Sequence, residues 1–276
     1  MNVIQALGLA GWAFRSALGQ SFRLRLWAPF LLLALVQMGS LAVLLRFYEP
    51  GVSWLAVPLI TWLVGESGIH YPYFFAALPG IYVRWSMVLG VLLATLTTGA
   101  ATILFARAFG VDTRGAWRTA AARYPALLAV GIVGAVLSLG LFLLGDVVPR
   151  DLFLTSSKVR WGVRFASLLL FVIGQSLVVY ATAAVVIEGR GIGAALWGSV
   201  RLFGLLFVAT LVVVGIPVAL NYPLGYLTER PDWFLNKFTP ELLGIVLALK
   251  VVWEMLLSFV LVGAVTRLFV WRREVA

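Results

Sequence analysis

The sequence predicts an all-α fold, a polytopic transmembrane helical bundle with about six spans. Three observations predict it. Of 276 residues, 62% are hydrophobic and only 12% charged, with a mean hydropathy of +1.03, whereas a soluble domain is about 45–50% apolar and about 25% charged. The apolar residues fall in long continuous runs rather than alternating ones, which selects helices over a closed barrel. Six runs reach the roughly 20 residues that cross a hydrocarbon core of about 30 Å. In that solvent backbone N–H and C=O groups find no water, so each span must pair its own as a helix.

The first span is Trp27–Leu45. Arg15, Arg23 and Arg25 precede it like the positive end of a signal peptide. The apolar stretch is longer than a signal core and no small-residue cleavage site follows, so it reads as a retained helix. The next spans are 81–106, Pro125–Leu144, Phe165–Ile187 and Leu202–Leu220, and a long final one covers 238–271. Val52–Val64, with Trp54, Pro58 and Trp62, is too short to be an ordinary span and fits an interfacial or re-entrant segment. Asn221–Phe238 carries Tyr222, Tyr226, Trp233 and Phe234 among Pro223 and Pro231, and reads as an aromatic loop on the outer surface. All 276 residues form a single integral membrane domain.

A short amphipathic stretch precedes each odd-numbered span. In the first, Val3, Leu7, Phe14 and Leu18 recur at helical spacing beside Trp12 and Arg15. The second, Gly115 to Arg123, contains Trp117, and the third, Gly193 to Arg201, contains Trp197. Trp and Arg on a short helix beside a span suit a helix lying flat at the lipid boundary, where Arg meets lipid phosphates. Trp12, Arg15, Trp117, Arg123, Trp197 and Arg201 are therefore candidate headgroup contacts. The chain reads as three copies of one unit, a flat helix and two spans, over 1–108, 112–188 and 191–273. The competing reading is that any six-helix protein has basic inner loops. All three copies point the same way, unlike the inverted repeats of many secondary transporters.

Arg and Lys set the orientation. With the N-terminus inside, the inner side holds twelve Arg against three acidic residues, and the outer side eight basic against seven acidic. Both termini are expected to be cytoplasmic, in a cell inner membrane; Lys158, Arg160 and Arg164 on the outer side oppose that choice. The net charge of +10 points to anionic lipid. No soluble basic segment is long enough for nucleic acid. Eighteen of the 21 basic residues are Arg, a bias associated with GC-rich bacterial genomes.

There is no cysteine and one histidine, His70, and no carboxylate cluster, so neither a metal nor another cofactor is expected. Gly65-Glu-Ser67-Gly resembles the GxSG of rhomboid proteases. However, His70 lies three residues away on the same loop, where no rigid scaffold holds it as a base for Ser67. Gln37 and Gln175 within spans, with Gly131, Gly134 and Gly174, suit helix packing. Lys158, Arg160 and Arg164, near Asp146 and Asp151, read as solvated loop charge.

Lys250 and Glu254 stand four apart on one face of the final span. If the hydrocarbon core ends near Thr266, Lys250 lies about 4–5 Å below the other boundary and reaches water by extending, while Glu254 lies about 10 Å down and needs a partner. The pair is either a structural brace or a substrate or proton site.

Val185-Val-Ile-Glu-Gly-Arg-Gly-Ile-Gly-Ala-Ala-Leu-Trp-Gly-Ser-Val-Arg-Leu202 resembles the end of the fourth span and the following helix in a group of poorly characterised bacterial six-helix membrane proteins. The group includes YciC-like inner-membrane proteins and the membrane domain attached to some glycerophosphoryl diester phosphodiesterases. Glu188, Gly189, Ser199, Arg201 and Leu202 carry the likeness. It implies a six-helix fold and no catalytic residues, and this sequence has no soluble segment to hold a phosphodiesterase.

With no catalytic constellation, the sequence favours a non-enzymatic scaffold, assembly factor or accessory subunit that meets lipid or partner membrane proteins. The alternative is a permease component with Lys250 and Glu254 near the pathway. Gly193-Ala-Ala resembles the Glu-Ala-Ala loop by which importer permeases dock an ATPase, but the Glu is missing and Ser199 replaces the later Gly.

Overall fold

The structure is a computed structural model and describes residues 2–70, 73–113, 115–143, 157–228, 233, 235 and 237–275. Among the described residues every regular element is helical. Five helices are long and apolar enough to cross a membrane: Leu24–Leu45, Tyr73–Ala108, Trp161–Val186, Phe207–Thr228 and Glu241–Val275. A sixth crossing results if Ala116–Ala122 and Tyr124–Ser138, bent by 73°, make one span. The chain is a multi-pass α-helical membrane protein.

In chain order the helices are α1 (Val3–Leu18), α2 (Leu24–Leu45), α3 (Pro50–Val64), α4 (Tyr73–Leu89), α5 (Thr95–Ala108), α6 (Ala116–Ala122), α7 (Tyr124–Leu143), α8 (Ser157–Val178), α9 (Ala181–Val186), α10 (Ile192–Leu205), α11 (Phe207–Thr228) and α12 (Pro240–Val275). A π-helical segment, Gly90–Ala94, joins α4 to α5.

Several boundaries differ from those expected. The second span starts at Tyr73, not residue 81, because Phe74 and Leu78 are buried against their own unit and that packing outweighs the bond lost at Pro79. The fourth is helical from Ser157, so Lys158 and Arg164 sit on α8 rather than in a loop, and it breaks at Tyr180. The Tyr180 N–H donates to Ser199 Oγ at 3.1 Å, an interhelical bond that accommodates the break where no proline is present. Leu202–Leu205, expected in the fifth span, belong to α10. Asn221–Thr228, expected in the outer loop, continue α11 as helix despite Pro223. The rest of that loop, and Arg114, Asp146, Arg150 and Asp151, lie largely outside the described residues. Val52–Val64 falls within α3, whose Ala56 and Ile60 are buried while Trp54 and Trp62 are exposed.

The chain divides into two compact units. The first contains Met1–Pro29, Thr95–Val218 and Phe259–Ala276. It includes the three short helices α1, α6 and α10. Its core is rich in alanine: α1 buries Ala6, Ala10, Ala13 and Ala17. Small residues bring helices close without side-chain clash, the usual way of packing where lipid removes the hydrophobic drive between helices. At Gly263 of α12 an added Cβ would lie 2.8 Å from Ala17 Cβ and 2.9 Å from Phe105 Cε1. Trp27 stacks on Phe259 at 4.0 Å, and Phe105 meets the same ring edge-on at 5.0 Å.

The second unit contains Phe30–Ala94 and Ala219–Ser258. Leu41 and Leu44 of α2, Ile60 of α3, Phe74, Leu78 and Tyr82 of α4, and Leu247 and Val251 of α12 form its core.

Candidate functional sites

The first candidate is the set of short helices in the first unit. α1 has two faces. Its alanines are buried, whereas Val3, Ile4, Leu7 and Leu18 are exposed, so bulky side chains point away from the protein. α10 repeats the division: Ala195, Ser199 and Leu202 are buried while Trp197, 71% exposed, and Arg201 face outward. Trp117 of α6 and Arg15 of α1 are also exposed.

The remaining two candidate headgroup contacts turn inward. Trp12 is half-buried, with the Arg267 guanidinium 4.3 Å from its ring centroid; Arg267 also lies 5.3 Å from the Phe109 ring and 3.4 Å from Glu274. Arg123 is half-buried over Gly189, where an added Cβ would lie 2.9 Å from its Nη2. Gly189 has φ +72°, a conformation that ends the span and that side chains oppose. Glu188 pairs with Arg190 at 2.6 Å and with Arg273 at 3.8 Å. Two arginines thus flank the Glu188 carboxylate, and a third, Arg123, stands over the adjoining Gly189. The sequence marked Glu188 and Gly189 through the resemblance, but not Arg273, which is 85 residues away along the chain.

The second candidate lies in the second unit. Lys250 Nζ and Glu254 Oε1 are 3.8 Å apart, with side chains 14% and 35% exposed. Asn221 Nδ2 donates to the same Oε1 at 3.2 Å. Tyr82 of α4, 3% exposed, belongs to the same buried cluster as Leu247 and Val251 of α12. Among the described residues the Tyr82 hydroxyl and Asn221 Oδ1 are buried and meet no hydrogen-bond partner. Beside them the Trp253 indole N–H donates to the Leu220 carbonyl at 3.0 Å, fixing α12 against α11.

The sequence placed Lys250 and Glu254 together through helical spacing. It missed Asn221 and Tyr82. An amide or a phenol in an otherwise apolar segment was the available signal, but Asn221 had been read as loop. Among the described residues no three His, Asp or Glu side chains gather in a way that could hold a metal.

Neither the known protein families, nor the curated proteins, nor the solved structures contain a match to this chain.

Proposed function

We propose that the protein is a non-enzymatic membrane scaffold, assembly factor or accessory subunit that holds anionic lipid headgroups and presents that lipid-bound face to partner membrane proteins. The observation that supports it is α10, with Trp197 and Arg201 outward and Ala195, Ser199 and Leu202 buried. An exposed indole prefers the headgroup level, and an exposed guanidinium pairs with phosphate there. Arg15 and Trp117 give the other two short helices the same character. In this reading the protein sits in a bacterial inner membrane with both termini cytoplasmic, in keeping with the arginine distribution and with the resemblance to YciC-like proteins.

Native mass spectrometry from nanodiscs of mixed phosphatidylglycerol and phosphatidylcholine tests it. Wild type is expected to retain phosphatidylglycerol preferentially, and Arg15→Gln with Arg201→Gln to lose most of that preference. Equal retention of the two lipids by wild type would sink the reading.

A second reading, a permease component with Lys250 and Glu254 beside the pathway, is favoured by the polar cluster around Glu254. Ionisable groups at membrane depth mark solute or proton routes by default. Its test is cellular uptake, lost in Glu254→Ala at normal expression.

A further inference from the structure

We infer that an open cavity in the first unit binds a zwitterionic group made of a phosphate and a primary ammonium, as carried by phosphatidylethanolamine or by free phosphoethanolamine. The inference does not rest on the anionic-lipid reading, which concerns other residues.

The cavity has a volume of about 240 Å³ and is lined by Phe109, Gly110, Val111, Val270, Arg273 and Glu274, all within the first unit. Phe109, Gly110 and Val111 follow the end of α5, and the other three belong to the last turns of α12. Both helices close candidate spans, Tyr73–Ala108 and Glu241–Val275. The end of a span is where hydrocarbon gives way to headgroups. Arg273 and Glu274 are about half exposed, so a ligand can reach both.

Charge defines the ligand. Arg273 pairs with Glu188 through Nε at 3.8 Å, and Glu274 pairs with Arg267 through Oε1 at 3.4 Å. Both distances exceed the roughly 2.7–2.9 Å of a strong charge-assisted bond. Among the described residues the Nη groups of Arg273 and the Oε2 of Glu274 meet no protein partner. These four side chains carry no net formal charge, so the cavity favours a ligand that is neutral overall and bears both signs. The Arg273 fork matches two phosphate oxygens. Glu274 accepts from an ammonium. The end of α5 favours the same cation: the N–H groups of Phe109, Gly110 and Val111 donate to the carbonyls of Phe105, Arg107 and Ala106, so this rim offers carbonyl oxygens at the negative end of a helix. The ammonium is primary, not quaternary. Quaternary ammonium groups are held by cages of aromatic rings, whereas Phe109 is the one ring among the lining residues, and the Arg267 guanidinium already lies 5.3 Å from it.

The experiment is native mass spectrometry of the full chain released from nanodiscs of phosphatidylethanolamine and phosphatidylcholine in equal amounts. Both lipids are neutral overall, so the protein's net charge of +10 does not separate them. Wild type is expected to retain phosphatidylethanolamine several-fold over phosphatidylcholine. Arg273→Gln and Glu274→Gln are each expected to bring that ratio to about one, and Arg272→Gln, outside the lining, to leave it unchanged. An even ratio in wild type overturns the inference, as does a wild-type ratio in Glu274→Gln. An equal loss in Arg272→Gln also overturns it, since charge number rather than the cavity would then be the cause. A second measurement needs no variant: the thermal midpoint of delipidated wild type in detergent. A rise with free phosphoethanolamine but not with phosphocholine assigns a soluble ligand. A rise with phosphatidylethanolamine alone assigns a lipid headgroup; either upholds the site. Equal rises with the ethanolamine and choline compounds, or no rise with any, overturn it.

Discussion

Gly189 shows how one residue sets a corner. Two constraints act there: the φ of +72° and the Arg123 guanidinium over its missing side chain. An L-residue in the left-handed region costs about 1–2 kcal/mol before any clash is counted. Gly189→Ala is therefore expected to lower stability by at least about 1 kcal/mol, whereas Gly191→Ala, at φ −68° with open space around it, is expected to change it little. Glu188→Gln removes two ion pairs, but Arg190 and Arg273 are each nearly half exposed, so solvent screening limits the loss to under about 1 kcal/mol. Denaturant unfolding of the three variants in one detergent checks the order. The exposure of Trp197 and Arg201 was expected from the sequence, because an aromatic and a cation on a short helix beside a span suit a helix lying flat at the lipid boundary. Asn221 was not, since its role depends on Glu254, a residue on another helix.

At the scale of elements, α1 reverses an ordering by side-chain size. Val3, Ile4, Leu7 and Leu18 face outward and its alanines are buried, with Ala10 at 0% exposure. Ala10→Leu is expected to destabilise by about 1–3 kcal/mol through overpacking. Leu7→Ala, on the outward face, is expected to stay within about 0.5 kcal/mol. Thermal unfolding in nanodiscs distinguishes the two, and a larger loss for Leu7→Ala would assign the leucine face to the protein interior. The α8–α9 break gives a second test. Ser199→Ala strips the buried Tyr180 N–H of its acceptor, which costs about 1–3 kcal/mol. Ser199→Thr, which keeps a hydroxyl, is expected to lose less in the same measurement. Periodicity alone gave the presence of these helices but neither their ends nor their partners. A stripe of Ala at helical spacing and a stripe of Leu and Val satisfy the same pattern, and the choice of inward face depends on which side other helices can approach closely.

At the scale of the whole molecule, the number of crossings fixes the sidedness of the ends. Six crossings put the termini on one side of the membrane and five put them on opposite sides. The bent pair of α6 and α7 decides between these. The sequence has no cysteine, so single substitutions report cleanly. Asn2→Cys and Val275→Cys are expected to react with a membrane-impermeant maleimide from the same side in sealed vesicles. Labelling from opposite sides would remove the bent pair from the count of spans.

The sequence by itself determined that this is a helical membrane protein, where most spans run, and that Lys250 and Glu254 share a face. These follow from composition and local spacing, because lipid obliges each span to satisfy its own backbone. Only the tertiary structure decided that α11 continues past Pro223 to bring Asn221 to Glu254, that Tyr180 interrupts the fourth span to meet Ser199, and that Trp12 and Arg123 turn inward. Each of these depends on a hydrogen bond or close packing between residues on different helices, and such pairings leave no period in the chain.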